Sequence, residues 1–131
     1  MNGAEPNWID DRDVLVLHDR LLVLHGGAAG VRDEGLLKSA TARARQMFAY
    51  DGNADIADMA GAYTAGIVQN HPFIDGNKRT GFLVGVLFLE LNGYAFSATE
   101  EAAADAVLTL AAGLSDQAAY TAYLRRNSVP E

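Results

Sequence analysis

The chain contains a long apolar stretch, residues 81–89, in which no side chain is charged or carries an amide. It ends at Glu90-Leu91-Asn92-Gly93, a sequence typical of a helix stop. A helix that is apolar on every side belongs in the middle of a core. Because crossing a bilayer takes about 20 apolar residues, this shorter stretch predicts a central helix buried in protein.

Composition limits the remaining choices. The 131 residues, half of them hydrophobic, predict a single domain over 1–131, with residues 1–7 disordered. There is no cysteine, which excludes disulfides and thiolate metal sites. No secretory signal or membrane span is visible, so we expect a cytoplasmic protein without membrane contact. The net charge of −7 argues against direct binding of nucleic acid.

Helical spacing and capping residues predict helices on both sides of the central one. The first runs from an aspartate cap to about residue 25, and the second from Asp33 to residue 48 or 50. Residues 46–53 could form an irregular loop or a short hairpin. A third helix covers residues 55–70. Its small residues, Gly61, Ala62, Ala65 and Gly66, are expected to face the central helix. Buried positions in the first two helices are expected at Val14, Leu17, Leu21, Leu24, Leu36, Leu37, Ala40, Ala44 and Met47.

After the central helix, Tyr94-Ala95-Phe96 reads as a short extended segment. Ser97 and Glu100 have the spacing of a capping box, which predicts a fifth helix that stops at Gly113. A sixth, from residue 115 or 116 to about 126, precedes a polar tail. The inward side chains expected here are Ala103, Val107, Leu110, Ala111, Tyr120, Tyr123 and Leu124.

The most unusual segment lies directly before the central helix and reads His71-Pro72-Phe73-Ile74-Asp75-Gly76-Asn77-Lys78-Arg79-Thr80. Two potential metal ligands without a third histidine or cysteine nearby fall short of a zinc site. The P-loop spacing is absent, because Gly76 stands only two residues before Lys78. The helix N-terminus that follows is, however, suited to holding phosphate.

A phosphoryl-transfer site uses more of these residues. Asp75 can hold Mg²⁺ against a nucleotide such as ATP. Gly76 permits close backbone approach, Asn77 can fix the loop by hydrogen bonds, and Lys78 and Arg79 can neutralise phosphate charge. His71 is then the candidate general base, since imidazole exchanges protons near neutral pH.

This segment resembles the signature of the Fic/Doc superfamily, specifically its death-on-curing (Doc) branch. The resemblance extends over most of the chain. It covers Trp8-Ile9 with His18, the Gly26-Gly27 loop, Val31-Arg32-Asp33-Glu34-Gly35-Leu36-Leu37 and Leu89-Glu90-Leu91-Asn92-Gly93-Tyr94. It implies an all-α, compact Fic fold of about six helices around a central buried helix. It also marks Phe73 and Thr80 as residues that support the motif.

Most Fic enzymes transfer AMP, and their motif reads H-P-F-x-[DE]-G-N-G-R-x-x-R. Here Lys78 replaces the last glycine and Phe82 stands at the second arginine, as in the Doc branch. The resemblance therefore implies a toxin of a type II toxin-antitoxin system. Such a toxin is a protein kinase that moves the γ-phosphate of ATP to a threonine of elongation factor Tu and blocks translation. The alternatives are a Fic-type AMP transferase and a catalytically silent module that binds a nucleotide or an antitoxin.

The resemblance also implies regulation by a small antitoxin protein with a disordered C-terminal segment. Some Fic proteins instead carry an inhibitory [ST]-x-x-x-E-[GN] helix in their own chain. Ser97 and Glu101 have that spacing, but Ala102 follows, and the capping box explains the segment more simply. We therefore expect the inhibitor to be a separate chain.

Overall fold

The computed structural model describes residues 4–131 and is mostly helical. The elements in chain order are α1 (Asp11–His25), α2 (Glu34–Tyr50), α3 (Ile56–Asn70), α4 (Asn77–Leu91), β1 (Tyr94–Phe96), α5 (Glu100–Ala111), α6 (Gln117–Arg126) and β2 (Ser128–Pro130). This confirms the expected all-α fold of about six helices. None of these helices is long and apolar enough to cross a membrane, within the residues described.

Two helices, α3 and α4, share the centre of the molecule, and glycines let them approach closely. A Cβ atom added at Gly85 would collide with Thr64 Oγ1 and lie 3.2 Å from the carbonyl of Ala60. One added at Gly81 would lie 2.9 Å from Val68 Cγ2. The burial predicted for the central helix is confirmed on the face toward α3, where Val84 and Phe88 are fully buried.

The small residues of α3 have different neighbours from those expected. Gly61 faces Thr121 of α6, and Gly66 faces the backbone of Ala40 in α2. The expectation that both glycines face α4 was wrong, because α3 is packed on three sides and α4 contributes glycines of its own.

Four helices begin at an aspartate whose side chain accepts from the backbone three residues on: Asp10, Asp33, Asp55 and Asp116. Helix α5 differs from the prediction. Its N-cap is Thr99, whose Oγ1 accepts from the N–H of Ala102 at 3.1 Å, so the capping box from Ser97 was wrong. Ser97 instead donates its backbone N–H to Asn127 at 2.8 Å.

That bond continues a small sheet at the end of the chain. Strands β1 and β2 pair antiparallel, with Tyr94 opposite Pro130 and Phe96 opposite Ser128. The extended segment at residues 94–96 is confirmed, whereas the polar tail after α6 is in fact a strand. Phe96 packs edge-on against Phe82 of α4, which ties the sheet to the central helix.

Several smaller expectations also differ. Leu24 is 74% exposed and Ala111 is exposed, because each lies near the end of its helix, beyond its neighbours. Helix α2 continues to Tyr50, and Asn53 donates its N–H to Asp51 Oδ1 in a tight turn, so the hairpin alternative was wrong.

The disorder expected for residues 1–7 falls partly on residues 1–3, which lie outside the described residues. The other end of that segment lies against the end of α4. Asn7 donates its backbone N–H to Asn92 Oδ1 at 2.7 Å and its side-chain amide to Leu91 O at 3.0 Å.

Candidate active site

The loop that joins α3 to α4 begins at His71, whose backbone is left-handed (φ 53°, ψ 55°). This conformation is uncommon for a residue with a side chain, and it turns the chain sharply at the end of α3. Asn77, the first residue of α4, holds the loop in place. Its Oδ1 accepts from the N–H of Phe73 at 3.0 Å, and its Nδ2 donates to the carbonyl of Phe73 at 2.9 Å. These bonds agree with the expected role of Asn77 in fixing the loop.

The same amide determines which nitrogen of His71 is protonated. Because Asn77 Oδ1 faces the Phe73 N–H, the amide has one orientation, and its Nδ2 lies 3.1 Å from His71 Nδ1. Nδ1 therefore accepts a hydrogen bond, and a neutral His71 carries its proton on Nε2. A proton can be taken up only at Nδ1, so an incoming hydroxyl must displace the Asn77 amide from that atom.

We expect neutral His71 to be the Nε2–H tautomer in the protein without ligands. Two-bond ¹H–¹⁵N correlation spectra of the neutral side chain would show it, because protonated and unprotonated ring nitrogens differ strongly in ¹⁵N shift. His25, exposed at the end of α1, is the internal reference. A neutral His71 protonated on Nδ1 would contradict this hydrogen-bond assignment.

Asp75 carries the negative charge of the loop. The backbone N–H of Ala28 donates to its Oδ2 at 3.2 Å, and that of Gly76 donates to its Oδ1 at 2.8 Å. Both bonds lower the pKa of the Asp75 carboxyl below its usual value, and the bond from Ala28 has the larger effect. The group is therefore ionised at neutral pH. Gly27 has a φ of 121°, and a Cβ there would lie 2.8 Å from Asp75 Oδ2. The glycine loop after α1 thus lies directly against the carboxylate.

His18 was not among the candidate site residues predicted above, yet it contacts the loop at two residues. Its side chain is 2% exposed and stacks on the ring of Phe73, with 3.7 Å between centroids. Its Nε2 lies 2.7 Å from the carbonyl oxygen of Asp75 and must donate to it. The available signal was a histidine four residues after Val14, on the apolar face of α1.

A cleft of about 360 Å³ lies at the N-terminus of α4. Gly76 is the N-cap, with φ 81°, and the exposed Lys78 and Arg79 follow it in the first turn. The cleft is lined by Asp75, Gly76, Asn77, Lys78, Arg79, Phe82, Ala103, Ala104, Val107 and Leu108. The wall contributed by α5 was not predicted, because no motif marks its small and aliphatic side chains.

The predicted site residues therefore fall into three groups. Five of them, residues 75–79, line one cleft. His71 is exposed and does not line this cleft, but its Nδ1 lies 3.1 Å from Nδ2 of Asn77, which does. Phe73 and Thr80 are fully buried and contribute packing beneath the loop. Among the described residues, Asp75 belongs to no cluster of three metal-ligating side chains.

Comparisons with known proteins identify the family of this chain. The sequence model of the Fic/DOC family matches residues 8–89, which include α1 to α4 up to Leu89. "Protein kinase doc" of Escherichia phage P1 is 31% identical over 85 residues, covering 65% of this chain and 68% of that protein. "Toxin Doc" of Mycolicibacterium smegmatis is 35% identical over 92 residues, covering 70% and 68%. The chain therefore belongs to the Fic/Doc family, and its relatives assign it to the Doc branch.

Proposed function

We propose that this protein is a Doc-like toxin and a protein kinase, which transfers the γ-phosphate of ATP to a serine or threonine hydroxyl of a target protein. The names of the two relatives support the toxin and kinase assignments. The observation that carries the proposal is the loop at residues 71–79. It sets a histidine, an ionised carboxylate and a helix N-terminus with two cations around one turn of chain.

Phosphate binding is assigned to the start of α4. The first N–H groups of a helix have no partner within it, and the helix dipole favours an anion there. Lys78 and Arg79 add two positive charges at the same cleft, in a chain whose net charge is −7. Local charge of this kind lets an acidic protein bind a nucleoside triphosphate.

Asp75 would hold Mg²⁺ with the nucleotide. The donor set fits, since Mg²⁺ prefers oxygen ligands and commonly takes one or two carboxylates together with substrate phosphates. Each Asp75 oxygen accepts one backbone N–H and keeps a lone pair for a cation. Bound Mg²⁺ would neutralise charge on the phosphates.

His71 is assigned as the general base. The oxygen of the target hydroxyl forms a bond to Pγ while the bond from Pγ to the bridging oxygen breaks, and ADP leaves. The hydroxyl proton passes to Nδ1 of His71, the ring nitrogen that bears no proton in the neutral side chain. Such transfer needs no covalent enzyme intermediate and depends on positioning and electrostatics.

Lys78 and Phe82 favour γ-phosphate transfer over AMP transfer. Both line the cleft. A lysine fills space that glycine leaves open, and a phenylalanine cannot anchor the terminal phosphate as an arginine would. The nucleotide then binds with its γ-phosphorus toward His71. A catalytically silent module would not need His71 next to the anion site.

The proposed protein partners are based on the assignment to the Doc branch. We propose elongation factor Tu as the target, so that phosphorylation stops translation. We also propose a separate antitoxin with a disordered C-terminal segment, in keeping with the relative named "Toxin Doc". Binding to the folded toxin alone must raise its melting temperature by mass action. Co-expression with small neighbouring reading frames tests this, and unchanged toxicity and stability with all of them would contradict it.

The reaction itself is tested by incubating the protein with a cell lysate and ATP labelled at either the α or the γ position. We expect label on a target protein from γ-labelled ATP alone. Label from α-labelled ATP would indicate AMP transfer, and absence of both would favour the silent module. The labelled protein identifies the target.

We expect Asp75→Asn to weaken Mg²⁺-dependent nucleotide binding far more than it weakens folding. The change keeps the size of an exposed side chain but removes its charge and one of the two oxygens that accept from Ala28 and Gly76. Calorimetric titration at several Mg²⁺ concentrations measures the affinity for ATP. Thermal unfolding measures the change in stability of the fold. Asp51→Asn, in an exposed turn far from the loop, is the control. An unchanged Mg²⁺ dependence would exclude Asp75 as a metal ligand.

A further inference from the structure

Arg32, in the loop between α1 and α2, binds three consecutive carbonyl groups where α3 ends and the next loop begins. Arg32 donates from Nη2 to the carbonyl of Asn70 at 2.8 Å and from Nε to that of His71 at 2.7 Å. Its backbone N–H donates to Pro72 O at 2.7 Å. No part of this set of bonds is assigned a role in the phosphoryl-transfer mechanism above.

These carbonyls lie at a place where the backbone needs external support. The last carbonyls of a helix have no partner within it, and the helix dipole makes this end negative. His71 is left-handed and precedes a proline, a combination that ordinary residues avoid. Backbone of this kind persists only where the surroundings determine it. The Arg32 guanidinium supplies the opposite charge and two of the missing donors.

We infer that Arg32 is a positioning residue, which holds His71 in the left-handed conformation from which its ring reaches the target hydroxyl. The inference rests on the proposed role of His71 as the base. Two contacts hold His71 before the target binds, and only that to the carbonyl remains once a hydroxyl displaces the Asn77 amide. Arg32 binds its backbone carbonyl and Asn77 binds its ring at Nδ1. Without the guanidinium, the turn can relax and the ring loses its place relative to the cleft.

A direct role of Arg32 in phosphate binding is less consistent with the structure. The cleft at the start of α4 is lined by Lys78 and Arg79, and Arg32 is not part of its wall. The Nε and Nη2 groups of Arg32 are directed at backbone carbonyls instead. Loss of a phosphate ligand would raise the KM for ATP, whereas loss of a positioning residue lowers kcat.

The test compares Arg32→Gln, Arg32→Lys and the control Arg43→Gln. Arg43 is an arginine of α2 that contacts α3 at Gln69, next to Asn70, but binds none of the three carbonyls. We expect Arg32→Gln to lower kcat about 10- to 100-fold with little change in the KM for ATP, because small misplacements of a reacting group have effects of that size. Lysine binds one carbonyl at a time, so Arg32→Lys should be intermediate. The control should keep the parent kcat.

A double variant separates positioning from a general structural effect. If Arg32 acts through His71, then adding Arg32→Gln to His71→Ala should cause no further loss of rate. The folded state of every variant is checked by its melting temperature. An unchanged kcat in Arg32→Gln, a raised KM, an equal loss in Arg43→Gln, or additive losses would each overturn the inference. Full activity of His71→Ala would instead overturn the proposed function on which it rests.

Discussion

The variant His71→Ala should transfer phosphate about 10² to 10⁴ times more slowly than the parent protein, because it lacks the general base. The fold should be retained, since the side chain is exposed and its only hydrogen bond within residues 4–131 is to the Asn77 amide. That amide still binds the carbonyl of Phe73 when the ring is removed. The measurement is the initial rate with γ-labelled ATP and the identified target, together with a thermal unfolding curve.

The matched control for this prediction is His25→Ala, which removes an exposed histidine at the end of α1. It should leave the transfer rate unchanged. ATP affinity should also be unchanged in His71→Ala, because His71 is not among the residues that line the cleft assigned to phosphate binding. A folded His71→Ala protein with full activity would exclude His71 as the base, and an equal loss in both variants would indicate a nonspecific effect.

The parts of the fold that were predicted correctly depend on local physics. An aspartate cap such as Asp33 bonds to an N–H three residues away, so its signal lies within one turn. The long apolar run identified the central helix for a similar reason. Thr99 and Ser97 are both able to cap a helix, but Ser97 donates its N–H to Asn127, 30 residues later, and Thr99 is the cap. No local rule can include that bond.

The candidate site divides in the same way. Residues 71–80 are consecutive, so their proximity follows from the sequence once a turn and a helix are recognised there. The surroundings of Asp75 cannot be predicted in this way. Its carboxylate is bonded to Ala28 and its carbonyl to His18, both about 50 residues away in sequence. The proton position on His71 likewise required the orientation of the Asn77 amide, which only the bonds to Phe73 determine.

The choice between γ-phosphate and AMP transfer can be tested by changing Lys78 and Phe82. We expect Lys78→Gly to lower γ-phosphate transfer about 10²-fold, because loss of one group that stabilises charge in the transition state has effects of that order. Lys78 is exposed in the first turn of α4, where a glycine costs at most about 1 kcal/mol, so the fold should be retained. The control is Lys38→Ala, which removes an exposed lysine of α2. Alanine is used there because a glycine would destabilise the interior of that helix.

Adding Phe82→Arg to Lys78→Gly should then produce measurable AMP transfer. The pair opens the turn after Asn77 and places a cation in the cleft that Phe82 now lines, where it can hold the γ-phosphate and turn the α-phosphorus toward His71. Phe82 also packs on Phe96, so the matched control is Lys78→Gly with Phe82→Leu, which loses the same ring without gaining a charge. Label from α-labelled ATP should appear on the target only with the arginine. Transfer of AMP by the parent protein itself would show that the nucleotide already binds in the other orientation, and that the kinase assignment is wrong.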